Sequence, residues 1–149
     1  MTLKEKLYQH CLLNIEERLT RAKVEIAQIQ SFANNETKSS AGDKYETGRA
    51  MAQLEIERNT QQLLEAEKLL TTLTDLKKNN PTSIAGRGSF VHTSQGNFYI
   101  AISLGLVEVA NEKVFVISDQ SPIGKLLMGK RIGETISWNG KGYDILKIE

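Results

Sequence analysis

Ser121 to Ile148 reads SPIGKLLMGKRIGETISWNGKGYDILKI, and how that stretch parses decides the architecture of the chain. Ile123 to Met128 is apolar and helix-like, and it stops at Gly129, the residue type favoured just past a helix C-terminus. Two strand-like segments follow, Thr135 to Trp138 and Tyr143 to Ile148, on either side of Asn139-Gly140. Asn-Gly at such a junction is a strong hairpin signal, because a tight two-residue turn needs positive φ at both positions.

Working outward, Phe90-Val91-His92, a Ser94-Gln95-Gly96-Asn97 turn, the apolar run Phe98 to Leu104, and Lys113 to Ile117 supply further strand candidates. An antiparallel sheet with one short helix is therefore expected over residues 81–149. Pro81-Thr82-Ser83, following Lys77-Lys78-Asn79-Asn80, reads as the linker into it.

Residues 1–80 carry a different period. Leu12, Ile15, Leu19, Ala22, Ile26 and Ile29 alternate spacings of three and four, as do Ala52, Ile56, Asn59, Leu63, Ala66, Leu70 and Leu73. Each series is an apolar helical seam, and Asn59 is a polar residue of the kind that fixes register. Between them, Asn34 to Gly42 is polar and poor in helix formers, so it reads as a loop. Two seams joined by a short loop predict an antiparallel helical hairpin, a coiled coil with helices roughly 45–55 Å long. Leu64, Leu69 and Leu76 lie off the second seam and are placed to pack against the C-terminal domain. The expected fold class is α+β. Such a hairpin is too thin for an active-site cavity, which leaves a dimerisation coiled coil or a rod that presents its loop at a distance.

Charge narrows the function. Residues 1–80 hold twelve Lys/Arg against twelve Asp/Glu, and residues 81–149 hold seven against six, for a net charge of +1. That balance argues against a protein that grips nucleic acid over a broad surface, where affinity comes from neutralised phosphates. Cys11, the single cysteine, excludes an internal disulfide and reads as a small core residue beside Leu12 and Leu13. No apolar run approaches membrane-spanning length, and MTLKEKLYQH lacks a signal-peptide core, so a cytoplasmic protein with no membrane partner is expected.

Chemistry concentrates at the loop. Gly42-Asp43-Lys44-Tyr45-Glu46 places two carboxylates three residues apart at the start of the second helix. Asp43 at the N-cap with Glu46 three residues on is also a capping-box arrangement, which would occupy the Asp43 carboxylate. Ser40 offers the alternative: Ser40-x-x-Asp43 caps the helix and leaves Asp43 within it, side chain free. On spacing alone both readings stand.

Together these features resemble the Gre transcript-cleavage factors of bacteria. The C-terminal stretch is similar to that family's SPIG-x-x-L-x-G-K-x-x-G signature with its closing Tyr-x-Ile-x-x-Ile strand, and Gly42, Asp43 and Glu46 match its Gly-Asp-x-x-Glu tip. The resemblance implies a coiled-coil arm with an acidic tip over residues 1–80 and an FKBP-like polymerase-docking domain over 81–149. It implies an accessory factor, not itself an enzyme, that enters the secondary channel of RNA polymerase and stimulates hydrolysis of backtracked RNA. Asp43 and Glu46 would serve as the catalytic and metal residues, sharing Mg²⁺ with the polymerase active site and binding none stably alone. Lys44, Arg49 and Arg58 would contact the nascent RNA 3′ end or the channel. Asp119, Gln120, Ser121, Pro122, Ile123 and Gly124 would form the docking loop of a factor that is monomeric when functional.

Against the family's usual Leu-Ser between the two acids, this chain has Lys44-Tyr45, and Thr47 stands where Asn is usual. These departures motivate a second reading, a channel-binding inhibitor without cleavage. At the docking loop the family often has an acid beside Ser-Pro, where this chain has Gln120 with Asp119 one step away. The bland alternative there is that Pro122 and Gly124 merely shape a turn.

Two decoys fall away. Gly124 to Arg131 nearly spells a Walker A motif, but Arg131 replaces the Ser/Thr that would hold magnesium. Prolyl isomerisation, suggested by the FKBP-like resemblance alone, lacks spare aromatics for a proline pocket. His10 and His92 stand alone.

Overall fold

The structure is a computed structural model that describes the backbone of residues 1–36, 42–79 and 82–149, and side chains over 1–34, 46–79 and 82–149. Two long helices open the chain, α1 (Leu3–Glu36) and α2 (Gly42–Leu76). α1 starts on a capping box: the Glu5 N–H donates to Thr2 Oγ1 (3.1 Å) while the Thr2 N–H donates to Glu5 Oε2 (2.8 Å). Each bond satisfies a backbone donor that the helix itself leaves unpaired.

The chain divides into two compact units, residues 14–70 and residues 1–13 with 71–149. The first consists of the middle of α1 and most of α2. Ile15, Ala22, Ala52, Asn59 and Ala66 are buried there, and the remaining seam positions are half-buried. In a unit made of two helices, such burial requires that each cover the other. The connection settles their direction. Residues 37–41 reach at most about 18 Å, whereas a parallel return would span roughly 50 Å, so the helices run antiparallel. Alanines on the seam let the backbones approach closely. The Asn59 amide nitrogen donates to the Glu55 carbonyl of its own helix (2.9 Å).

The second unit holds a six-stranded sheet and a short helix. The strands are β1 (Phe90–Thr93), β2 (Gly96–Ile100), β3 (Gly105–Val109), β4 (Glu112–Ile117), β5 (Thr135–Trp138) and β6 (Lys141–Ile148), with α3 (Pro122–Leu127) between β4 and β5. Their order across the sheet is β3-β4-β2-β1-β6-β5. All pairings are antiparallel except β2 with β4, where Phe98, Tyr99 and Ile100 run parallel to Phe115, Val116 and Ile117. The expected turn is present, with Asn139 at φ 50° and Gly140 at φ 76°.

The apolar run from Phe98 to Leu104 is strand only as far as Ile100. β2 ends at Ile100, and β3 begins at Gly105 and forms a hairpin with β4 across Ala110-Asn111, both at positive φ. One sheet face, with α3, encloses Ala85, Val91, Phe98, Ile100, Leu127, Ile136 and Ile145. Strand alternation turns Phe90, Tyr99, Val114 and Val116 to the other face, all buried, and Leu7, Cys11, Leu73 and Leu76 are buried in the same unit. Leu76 packs on Gly88, where a Cβ would meet its Cδ2 at 3.7 Å. Burial pushes the Cys11 thiol up to about 12, which agrees with its reading as a core residue. Of the three off-seam leucines, Leu76 is buried, Leu69 is half-buried and Leu64 is 46% exposed.

Candidate functional site: an acidic helix start and a capped loop

The first element of the site is the start of α2. Because the helix opens at Gly42, Asp43 stands in its first turn, with Glu46 three residues later. Residues three apart on a helix share a face, with β-carbons about 5–6 Å apart. Glu46 is exposed, and the side chains of Asp43 and Lys44 lie outside the described residues, as does Ser40 entirely. Arg49 is exposed, and Arg58 pairs with Glu55 one turn away on its own helix.

Two carboxylates offer hard oxygen donors that suit magnesium, but they are few against an octahedral requirement. The positive end of the helix dipole also opposes a lone cation at this position. The donor set fits a magnesium ion whose remaining ligands come from elsewhere. Among the described residues, no group of three or more His, Cys, Asp or Glu could hold a metal ion.

The second element is the loop from Ser118 to Gly124, between β4 and α3. Ser121 is the N-cap of α3, and its Oγ accepts the Gly124 N–H (3.0 Å) while donating to the Ser118 carbonyl (2.6 Å). Pro122 follows at the first helical position, where a missing N–H costs nothing. Gly124 is buried against the same carbonyl; a Cβ there would lie 2.1 Å from Ser118 O. Ile123 packs against the core beneath α3.

Asp119 turns to Arg87, whose Nε donates to its Oδ2 at 2.8 Å, and Gln120 Nε2 donates to the same oxygen at 3.3 Å. The Arg87 bond, ahead of the smaller contribution from Gln120, holds the Asp119 carboxyl below its ordinary value. The six loop residues thus divide. Gln120 and Pro122 are exposed, while Asp119, Ser121, Ile123 and Gly124 are committed to shaping the loop. Arg87 was absent from the sequence reading. It lies 32 residues from its partner, a separation at which no local pattern announces a contact.

A cleft of about 1090 Å³ lies elsewhere in this unit, with Lys4, Tyr8, Lys77, Lys78, Arg87 and Tyr99 among its lining residues. Lys78 pairs with Asp75, Arg87 with Asp119, and Lys77 Nζ sits 4.9 Å over the Tyr8 ring. Phe90, Phe98 and Tyr99 are buried, so these aromatics furnish no open cradle for a proline.

Residues 104–149, which contain this loop, match the family described as Transcription elongation factor, GreA/GreB, C-term. The match covers residues 104–149 alone, and over them it supports a relationship to the Gre factors. No curated protein matches the chain. No helix among the described residues is long and apolar enough to cross a membrane.

Proposed function

We propose that the chain is a Gre-type elongation factor that docks on bacterial RNA polymerase through residues 119–124 and stimulates hydrolysis of backtracked RNA with the acids that open α2. One observation carries the reading. Two antiparallel helices of 34 and 35 residues turn around at an acidic pair, in a chain that also holds a GreA/GreB C-terminal domain. In this reading the hairpin's asset is reach.

Asp43 and Glu46 stand three residues apart at the start of α2, a spacing that would let two carboxylates address one cation or one water. Glu46 is exposed and available to accept a proton or a hydrogen bond from that water. A magnesium ion held jointly with the polymerase would supply charge stabilisation and a polarised water at the phosphodiester. Asp43 and Glu46 alone would hold that ion weakly, with polymerase and RNA supplying the remaining ligands. Lys44, between the two acids, and Arg49, three residues beyond them, would contact RNA phosphate or the channel wall. The factor would act as a monomer in the cytoplasm, with the RNA 3′ end as its second contact.

A second reading, a channel plug that slows elongation without cleavage, rests on Lys44-Tyr45 between the acids. A lysine beside two carboxylates competes with a cation for them. Transcript length in a backtracked elongation complex with end-labelled RNA and Mg²⁺ separates the two. Shortened RNA that the polymerase re-extends supports cleavage; intact RNA with slowed extension supports the plug.

A further inference from the structure

We propose that Arg87 is a positioning residue for polymerase docking: it holds Asp119 inward and so presents Gln120 and Pro122 as a neutral outer edge of the loop. The inference rests on the reading of residues 119–124 as the docking loop.

Every polar group of the Asp119 carboxylate is engaged within the protein. Oδ2 accepts from Arg87 Nε (2.8 Å) and Gln120 Nε2 (3.3 Å), and Oδ1 accepts from Ser118 Oγ (3.5 Å). The Asp119 side chain keeps 15% of its exposure while Arg87 keeps 61%, so the pair is an inward acid covered by an outward cation. Beneath it the loop is closed on itself. Ser118 Oγ accepts the Gln120 N–H (3.1 Å), and Ser118 O accepts from both the N–H and the hydroxyl of Ser121. Gln120 and Pro122 are the loop's exposed residues.

Arg87 can act this way because its own backbone is pinned. Its carbonyl accepts from Asn79 Nδ2 (3.2 Å), the Gly88 N–H donates to the Ile100 carbonyl (2.7 Å), and Ser89 closes a turn onto Gly86 in both directions. The guanidinium therefore extends from an anchored turn at the end of β2 onto a loop that follows β4. Without it, an uncompensated carboxylate would stand beside Gln120 and be drawn outward to water. The loop would then present negative charge and a larger set of shapes, and a partner would have to select the docked one.

The test is equilibrium binding of the N-terminally labelled full chain to bacterial core RNA polymerase, followed by fluorescence anisotropy. Arg87→Ala is expected to weaken binding roughly three- to tenfold, the range for a half-exposed charged pair that orders a loop. Arg87→Lys recovers part of that loss, and Arg87→Ala with Asp119→Asn binds no more weakly than Arg87→Ala alone. Melting temperatures stay close to that of the parent chain, which separates positioning from general destabilisation. Unchanged binding by Arg87→Ala overturns the inference. So does an additive loss in the double variant, which would make the two residues independent contacts. Failure of the parent chain to bind removes the docking reading and this inference with it, an outcome visible before any variant is compared.

Discussion

Ser121 and Gly124 hold each other in place: the Ser121 hydroxyl caps the Gly124 N–H, and both crowd the Ser118 carbonyl, one by hydrogen bond and the other by lacking a Cβ. This mutual fit fixes where α3 starts and therefore where Pro122 projects. The turn-shaping and docking readings of Ser-Pro are compatible at this point, since the shaped turn is what leaves Gln120 and Pro122 exposed.

Ser121→Ala removes the cap. A stability loss of about 1 kcal/mol is expected in urea denaturation, the usual magnitude for an N-cap serine. An unchanged midpoint would mean that water or a neighbouring residue replaces the hydroxyl.

Gly124→Ala is expected to be worse than Ser121→Ala. A methyl 2.1 Å from a backbone oxygen cannot be accommodated by a side-chain rotation, so the loop must shift. Amide exchange at Gly124, Lys125 and Met128, whose N–H groups are bonded within this segment, should accelerate. Protection equal to the parent's would show that the carbonyl moves aside freely.

The Asp119 pair carries a pH signature. Its folded-state carboxyl lies below the ordinary value because Arg87 donates to it, so the stability it contributes is present above the unfolded carboxylate pKa and is lost as pH falls through the folded one. Glu149 follows the same sign, lowered first by its bond from His92 (2.7 Å) and less by Lys147. The stability difference between parent and Asp119→Asn should hold constant near neutrality and close in acid. A gap that widens as pH falls would contradict the assignment.

Cys11 should be inert while the protein is folded. With full burial and a thiol pushed up to about 12, alkylation at mildly alkaline pH can proceed only through opening of the unit. Pulse labelling with iodoacetamide across a denaturant series is expected to follow the unfolding transition. Rapid modification of the native chain would show that α1 frays past its third turn.

The fold was legible wherever sequence and structure share a local period. The seams at three-four spacing gave the helices, and Asn139-Gly140 gave the β5–β6 hairpin, because such turns depend on residues adjacent in the chain. β3 was not legible. Its turn uses Ala110-Asn111, where Ala at positive φ carries no turn signal, so nothing local marks the hairpin that pairs Gly105–Val109 with β4. The parallel pairing of β2 with β4 is non-local, and no residue pattern within either strand announces it. Leu64 and Leu76 looked equivalent by spacing, yet only Leu76 meets a glycine surface that buries it. At the site, the sequence marks a turn at Ser-Pro ahead of a short helix, but neither the Ser121 cap nor the commitment of Asp119 to Arg87.

If the acids at the start of α2 drive cleavage, the cleavage rate of a backtracked complex must differ between the parent chain and Asp43→Asn/Glu46→Gln. The parent is expected to shorten the RNA, while the double variant binds the polymerase within about twofold of the parent and leaves the transcript at full length, as expected when a group acts mainly in the transition state. Equal cleavage by the double variant would contradict that expectation, and would move the chemistry away from the tip of the hairpin.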